Sequence, residues 1–204
     1  MPAEGTDKKN TPVVGIMGGI CSGKTIVAQF FERWGFLRID ADAAAHLLLE
    51  DPGIKEELHR LFGDDVFRDD GSVDRGTLSE LVFEDREKLS CLNAVIHPGV
   101  IGVIEKRIKS SVSPVVVDAA LLFETGLDSR FCTHLVFVDR PKEDRIASAV
   151  NCRGWDRREL DRREKMQAPL EEKRRKADFI IRNNGSEREL EGKTRVVVER
   201  IVGE

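Results

Sequence analysis

The octapeptide Gly18-Gly19-Ile20-Cys21-Ser22-Gly23-Lys24-Thr25 constrains this chain more than any other stretch. Its spacing is Gly-x-x-x-x-Gly-Lys-Thr, and each part has a physical purpose. Glycines let the backbone turn tightly enough for successive N–H groups to converge on an anion. A helix that starts at the lysine adds the partial positive charge of its N-terminus. The lysine can then bridge the β- and γ-phosphates of a nucleoside triphosphate, and the threonine hydroxyl can ligate Mg²⁺. The same spacing also describes an ordinary glycine-rich turn, so context decides. Here the apolar run Pro12–Met17 enters the loop as a buried strand. Behind Lys24, the residues Ile26, Val27, Phe30, Phe31 and Trp34 recur at helical spacing until Gly35 stops the helix. The expected nucleotide-binding set therefore runs from Gly18 through Gly19, Ile20, Cys21, Ser22, Gly23, Lys24 and Thr25 to Ile26.

The rest of the chain repeats that grammar. Phe36–Ile39 reads as a second short strand, followed by Asp40-Ala41-Asp42 and an Ala/Leu-rich helix to about Glu50. Residues 53–111 read as three or four helical stretches, with turns at Gly63 and Asp70-Gly71 and a break at His97-Pro98-Gly99. Strands resume at Pro114–Asp118, His134–Asp139 and Asp178–Arg182, each a short β-branched or aromatic run typical of a buried parallel sheet. Ser186 with Glu189 three residues on forms a candidate capping box for the last helix. The expected fold is α/β, a phosphate-loop (P-loop) fold with a parallel sheet core flanked by helices. Its nucleotide-binding core comprises residues 12–52 and 112–204, with residues 53–111 as an inserted helical substrate-binding subdomain and residues 1–11 as a loose tail.

Composition removes other classes. Thirty-three basic and 37 acidic residues leave a formal charge of −4, so there is no general pull toward nucleic acid. No run approaches the roughly 18 apolar residues of a membrane span. The polar opening lacks the apolar core of a secretion signal. Four cysteines and four histidines lie scattered and form no zinc pattern. A cytoplasmic protein with reduced thiols, no membrane association and no obligate protein partner is the expectation.

Among phosphate-loop proteins, a guanine-nucleotide switch would need N-K-x-D and D-x-x-G signatures, and neither occurs. A small kinase fits the length. A kinase acting on a hydroxyl gains from a carboxylate that accepts its proton. Asp40 and Asp42 sit at the carboxyl end of the second strand, the edge where open α/β sheets bind ligands. If the chain stays extended there, both carboxylates share a face; alternatively one of them caps the next helix. Asp118 ends the third strand and is a candidate for the Mg²⁺ shell or a turn residue. Residues 151–176 carry ten basic and six acidic side chains. They read either as solvated helices laced by i,i+4 pairs or as a mobile flap over a phosphorylated ligand.

In order along the chain, the motifs resemble the dephospho-coenzyme A kinase family over residues 13–190. The loop is followed by Asp40-Ala41-Asp42, Asp70-Gly71-Ser72-Val73-Asp74-Arg75, Leu92-Asn93 with His97-Pro98, Leu121-Leu122-Phe123-Glu124, Arg163 with Gln167, Ala177-Asp178, and Asn183 with Gly185. The resemblance implies transfer of the ATP γ-phosphate to the ribose 3′-hydroxyl of dephospho-coenzyme A, with Mg²⁺. It puts the proton acceptor on Asp42 and makes 151–176 a lid carrying Arg153 and Arg163 toward phosphate. It also puts Asn183 and Gly185 near adenine and lets His97 shape the coenzyme site. Several positions depart from the family's habit: Met17 where Thr is common, Cys21 for Gly, Ala120 for Pro and Ala149 for Arg. The stretch from Arg153 to Gln167 is also one residue short. A backbone φ above zero at Cys21 would strain it.

Overall fold

A computed structural model describes residues 11–83 and 85–203; of the expected tail, positions 1–10 lie outside them. The chain forms two compact units, one made of the stretches up to Asp40 and from Ile108 onward, the other of Ala41–Arg107.

The first unit is built on five parallel strands, β1 (Val13–Gly18), β2 (Leu37–Asp40), β3 (Val115–Asp118), β4 (His134–Asp139) and β5 (Phe179–Arg182), in the order β2-β3-β1-β4-β5. All six residues of β1 are buried, as expected of a central strand covered on both faces. Helix α1 (Lys24–Arg33) begins inside the glycine-rich octapeptide and ends at Trp34, where Gly35 takes a φ of 90°. Its Val27, Phe30 and Phe31 join Val14, Ile16, Val116, Val136 and Ile181 in one core. Helix α10 (Glu187–Gly203) closes the same core with Leu190, Val197, Val198 and Ile201. Its start is a reciprocal cap: Ser186 N–H donates to Glu189 Oε2 at 2.7 Å and Glu189 N–H to Ser186 Oγ at 3.3 Å. The Ser186 N–H, joined by the Ser186 hydroxyl at 3.0 Å, holds the Glu189 carboxyl below its usual range.

The second unit contains α2 (Ala41–Leu48), α3 (Pro52–Phe62), α4 (Arg75–Phe83) and most of α5 (Arg86–Ser110). Helix α2 goes with this unit, so the division falls at residue 41 where the sequence suggested 53. Gly63 and Gly71 turn the chain with φ of 75° and 74°, and an isolated antiparallel bridge joins Phe67 to Val73. The expected break at His97-Pro98-Gly99 does not occur; α5 runs straight through it, with Pro98 in its interior. An interior proline removes one N–H donor and crowds the carbonyl four residues back, at about 3 kcal/mol. Ile96, Val100 and Ile104, buried four residues apart, anchor the helix on both sides of that defect.

Back in the first unit, α6 (Leu127–Phe131), α7 (Lys142–Arg153), α8 (Arg157–Glu164) and α9 (Leu170–Lys176) lie between β3 and β5 in the chain. Among the described residues no helix is long and apolar enough to cross a membrane.

Candidate active site

The octapeptide leaves β1 at the carboxyl edge of the sheet and runs into the first turn of α1. At two of its glycines a side chain would be excluded. A Cβ on Gly18 would stand 2.6 Å from Ser22 Oγ and 2.7 Å from Val138 O, and one on Gly23, whose φ is 96°, 2.6 Å from Asn183 Nδ2. Cys21 takes a φ of 59°, the one non-glycine with positive φ among the described residues. The departure from glycine at this position therefore carries the left-handed strain that the sequence raised as a condition.

Side chains from the β4–β5 side fasten the loop by its carbonyls. Arg140, just past β4, donates to Cys21 O at 3.1 Å; Asn183, just past β5, donates to Ser22 O at 2.8 Å. Arg145 of α7 lies against Gly19 and reaches Ile20 O at 3.4 Å, while pairing with Glu164 of α8. It is a 4% exposed arginine, buried one helical turn before Ala149. Sequence reasoning gave neither Arg140 nor Arg145 a role. The signal for Arg145 was its i,i+4 spacing with Ala149, which puts both on the inward face of α7.

The Lys24 ammonium lies on its own loop, donating to Gly19 O at 2.9 Å and Gly18 O at 3.2 Å. Thr25 is exposed in the first turn of α1, and Ser22 Oγ is buried without a hydrogen-bond partner. Asp118 ends β3, in register with Ile16 of β1 on one side and Asp40 of β2 on the other. Arg38 donates to Asp118 Oδ2 at 2.7 Å and to Asp40 Oδ2 at 3.1 Å.

The extended conformation that would have aligned Asp40 with Asp42 ends at Asp40. Asp40 is the last residue of β2, and Asp42 lies in the first turn of α2, which opens the second unit. The two-residue alternation stops where the helix starts, so strand geometry no longer aligns them. His97 lies within α5, and partial burial pushes its imidazole pKa down.

In the 151–176 segment, Arg153 and Arg163 both stack on Trp155, with guanidinium carbons 4.8 and 4.1 Å from the ring centroid. Arg163 also donates to Glu159 at 2.6 Å, an i,i+4 pair. Part of this segment is thus the solvated, ion-paired helix that composition suggested. Lys173 is not: it is 2% exposed and pairs with Glu124 at 2.6 Å, with Gln167 Oε1 at 3.1 Å. Glu124 also accepts from Ala168 N–H at 2.9 Å, so the Leu-Leu-Phe-Glu motif is tied to the start of α9.

A central parallel strand feeding a Gly-Lys-Thr loop, with acidic strand ends beside it and an arginine-bearing helical segment after β4, defines a P-loop kinase, an ATP-dependent phosphotransferase. The sequence profile of the dephospho-CoA kinase family matches residues 12–189. Dephospho-CoA kinase from Thermus thermophilus is 36% identical over 200 residues, covering 98% of this chain and 96% of that one. The enzyme of that name from Carboxydothermus hydrogenoformans is 38% identical over 181 residues, covering 86% and 87%. The crystal structure of TT1252 from Thermus thermophilus superposes with a TM-score of 0.81 at 36% identity, covering 94% of this chain and 98% of that one. The chain belongs to the dephospho-CoA kinase family.

Proposed function

We propose that this protein transfers the γ-phosphate of ATP to the ribose 3′-hydroxyl of dephospho-coenzyme A, giving coenzyme A and ADP. The observation that carries the reading is the near full-length family match, with the phosphate loop, Asp40-Ala41-Asp42 and Leu121–Glu124 motifs in order.

The roles follow from chemistry at each position. Loop N–H groups and the N-terminus of α1 receive the β- and γ-phosphates. Lys24 exchanges the carbonyls of Gly18 and Gly19 for phosphate oxygens, stronger acceptors because they are charged. Asp42 accepts the hydroxyl proton as the 3′-oxygen bonds to the γ-phosphorus and the bond to the β,γ-bridging oxygen breaks, with ADP leaving. Arg153 and Arg163 neutralise charge on the transferring group after leaving the Trp155 face. His97 helps shape the coenzyme pocket, the 41–107 unit holds the acceptor, and Asn183 and Gly185 border the adenine.

The residues present fit a nucleotide-borne Mg²⁺. Thr25 and Asp118 supply two oxygen donors, and Mg²⁺ in such sites is completed by phosphates and water. When bound, the ion neutralises charge on the β- and γ-phosphates.

The test is acceptor-dependent ADP release from Mg·ATP with dephospho-coenzyme A, run beside adenosine monophosphate, shikimate and gluconate, with the product phosphate located on the ribose. Turnover with dephospho-coenzyme A alone is expected. Turnover with another acceptor would overturn the substrate, and ATP binding without any turnover would overturn the enzymatic reading.

A further inference from the structure

The end of β2 holds an arginine that the reaction scheme does not use. Arg38 is two residues before Asp40, so in a strand both side chains stand on the same face of the sheet. The β2–β3 register puts Asp40 opposite Asp118, across strands about 4.8 Å apart. Two like charges facing each other across a parallel pair repel. The guanidinium of Arg38 resolves this by donating to Oδ2 of each, at 2.7 Å for Asp118 and 3.1 Å for Asp40.

The arrangement is built rather than incidental. The side chains of Arg38 and Asp118 are 16% and 9% exposed, so their charges are withdrawn from most of the solvent that would screen them. Arg38 Nε is buried with no hydrogen-bond partner, an arrangement that costs stability. Stability alone would be served as well by an apolar side chain against uncharged strand ends. A cation between them serves to hold the two carboxyl groups fixed side by side at this edge.

We propose that Arg38 is a positioning residue of the reaction, a resident counter-ion that holds Asp40 and Asp118 together at the sheet edge before nucleotide arrives. The carboxylate pair is thereby kept from capturing a divalent cation on its own, and Asp118 is presented in one orientation beside the phosphate loop. The effect on turnover rests on the proposed role of Asp118; the effect on cation capture does not.

The variants are Arg38→Gln, which keeps polar donors but loses the charge, and Arg38→Lys, which keeps the charge. Two readouts apply: Mn²⁺ binding to the nucleotide-free protein by electron paramagnetic resonance, and kcat against KM for both substrates. In Arg38→Gln, Mn²⁺ is expected to bind at least about tenfold more tightly, the effect of deleting a unit charge a few ångströms away in a partly screened site. The same variant is expected to lose about 10- to 100-fold in kcat through misplaced groups, with KM for ATP within about threefold because the phosphate loop is intact. Arg38→Lys is expected to stay near wild type in Mn²⁺ affinity and to recover most of kcat. Unchanged Mn²⁺ affinity in Arg38→Gln, or unchanged kcat in an active enzyme, would overturn the proposal. So would an equal loss in both variants, which marks a structural role only. If the wild type itself turns over no dephospho-coenzyme A, the functional reading fails, and Mn²⁺ affinity alone decides the case for Arg38. If Arg38→Gln does not fold, Arg38→Met combined with Asp40→Asn removes one charge of each sign and is judged on Mn²⁺ affinity. Binding within twofold of wild type is then expected, and a tenfold gain overturns the proposal.

Discussion

Replacing Cys21 by glycine should stabilise this protein, which runs against the usual effect of that substitution. The backbone at Cys21 has a φ of 59°. An L-residue in that region sets Cβ against the neighbouring carbonyl at about 1–2 kcal/mol. Glycine removes the clash, but its unfolded chain has more freedom to lose, worth about 0.4–1 kcal/mol. The difference leaves a net gain near 1 kcal/mol, or roughly 2–4 °C in Tm for a chain of this size. The anchoring bond from Arg140 goes to the backbone carbonyl and survives the change. Cys21→Ala is the control, because it removes the thiol but keeps Cβ, and it should melt within about 1 °C of wild type. Cys21→Val, β-branched, should fall below both. Melting of the reduced proteins by calorimetry gives the ranking Gly, then Cys and Ala together, then Val. If alanine stabilises as much as glycine, the thiol and not the backbone is responsible, and the strain argument fails.

Asp42→Ala should cut kcat by about 10²–10⁴ if the carboxylate takes the hydroxyl proton, while calorimetric ATP affinity stays within twofold; Lys24→Ala should weaken both. Lys173→Met leaves the part-buried Glu124 carboxylate without its cation and should cost about 2–4 kcal/mol in urea unfolding, toward the lower end of the range for buried pairs, whereas Lys173→Met with Glu124→Leu should recover most of it. A double variant as unstable as the single would show that packing, not charge, dominates there. Burial, with Asp128 adding to it, pushes the Cys132 thiol up to about 12 from a usual value of 9.0. Its folded pKa is raised, so the unfolded chain loses the proton first; stability is complete below about pH 9 and falls as pH rises toward 12. Urea midpoints at pH 8 and 10.5 should show that fall, and Cys132→Ala should flatten it.

Much of the core was legible because its signals are local. A buried parallel strand is a short apolar run, and all five emerged within a residue or two of their observed ends. The loop was legible because its spacing is dictated by an anion's geometry. What escaped depends on partners distant in sequence. Pro98 looks like a helix breaker until the stripe Ile96, Val100, Ile104 is seen to be buried on both sides of it. Arg38 and Arg145 look like surface charge until the strand register and α7 packing bring their carboxylates and carbonyls to them. Lys173, amid a run of solvated cations, is marked out only by Glu124, forty-nine positions earlier. The φ of Cys21 had no signal at all beyond the glycine it replaces.

The side chains that hold the loop's carbonyls have a consequence for its amides. In a trans peptide the carbonyl and the next residue's N–H point in opposite directions, so fastening one end of the plane aims the other. With Ile20 O and Ser22 O held by Arg145 and Asn183, the N–H groups of Cys21 and Gly23 are turned to the opposite side of the loop. Neither plane can flip without first breaking a bond to the β4–β5 side. Two of the loop's amide dipoles are therefore fixed in direction by side chains outside the loop, so an anion received there does not have to reorient those two peptide planes.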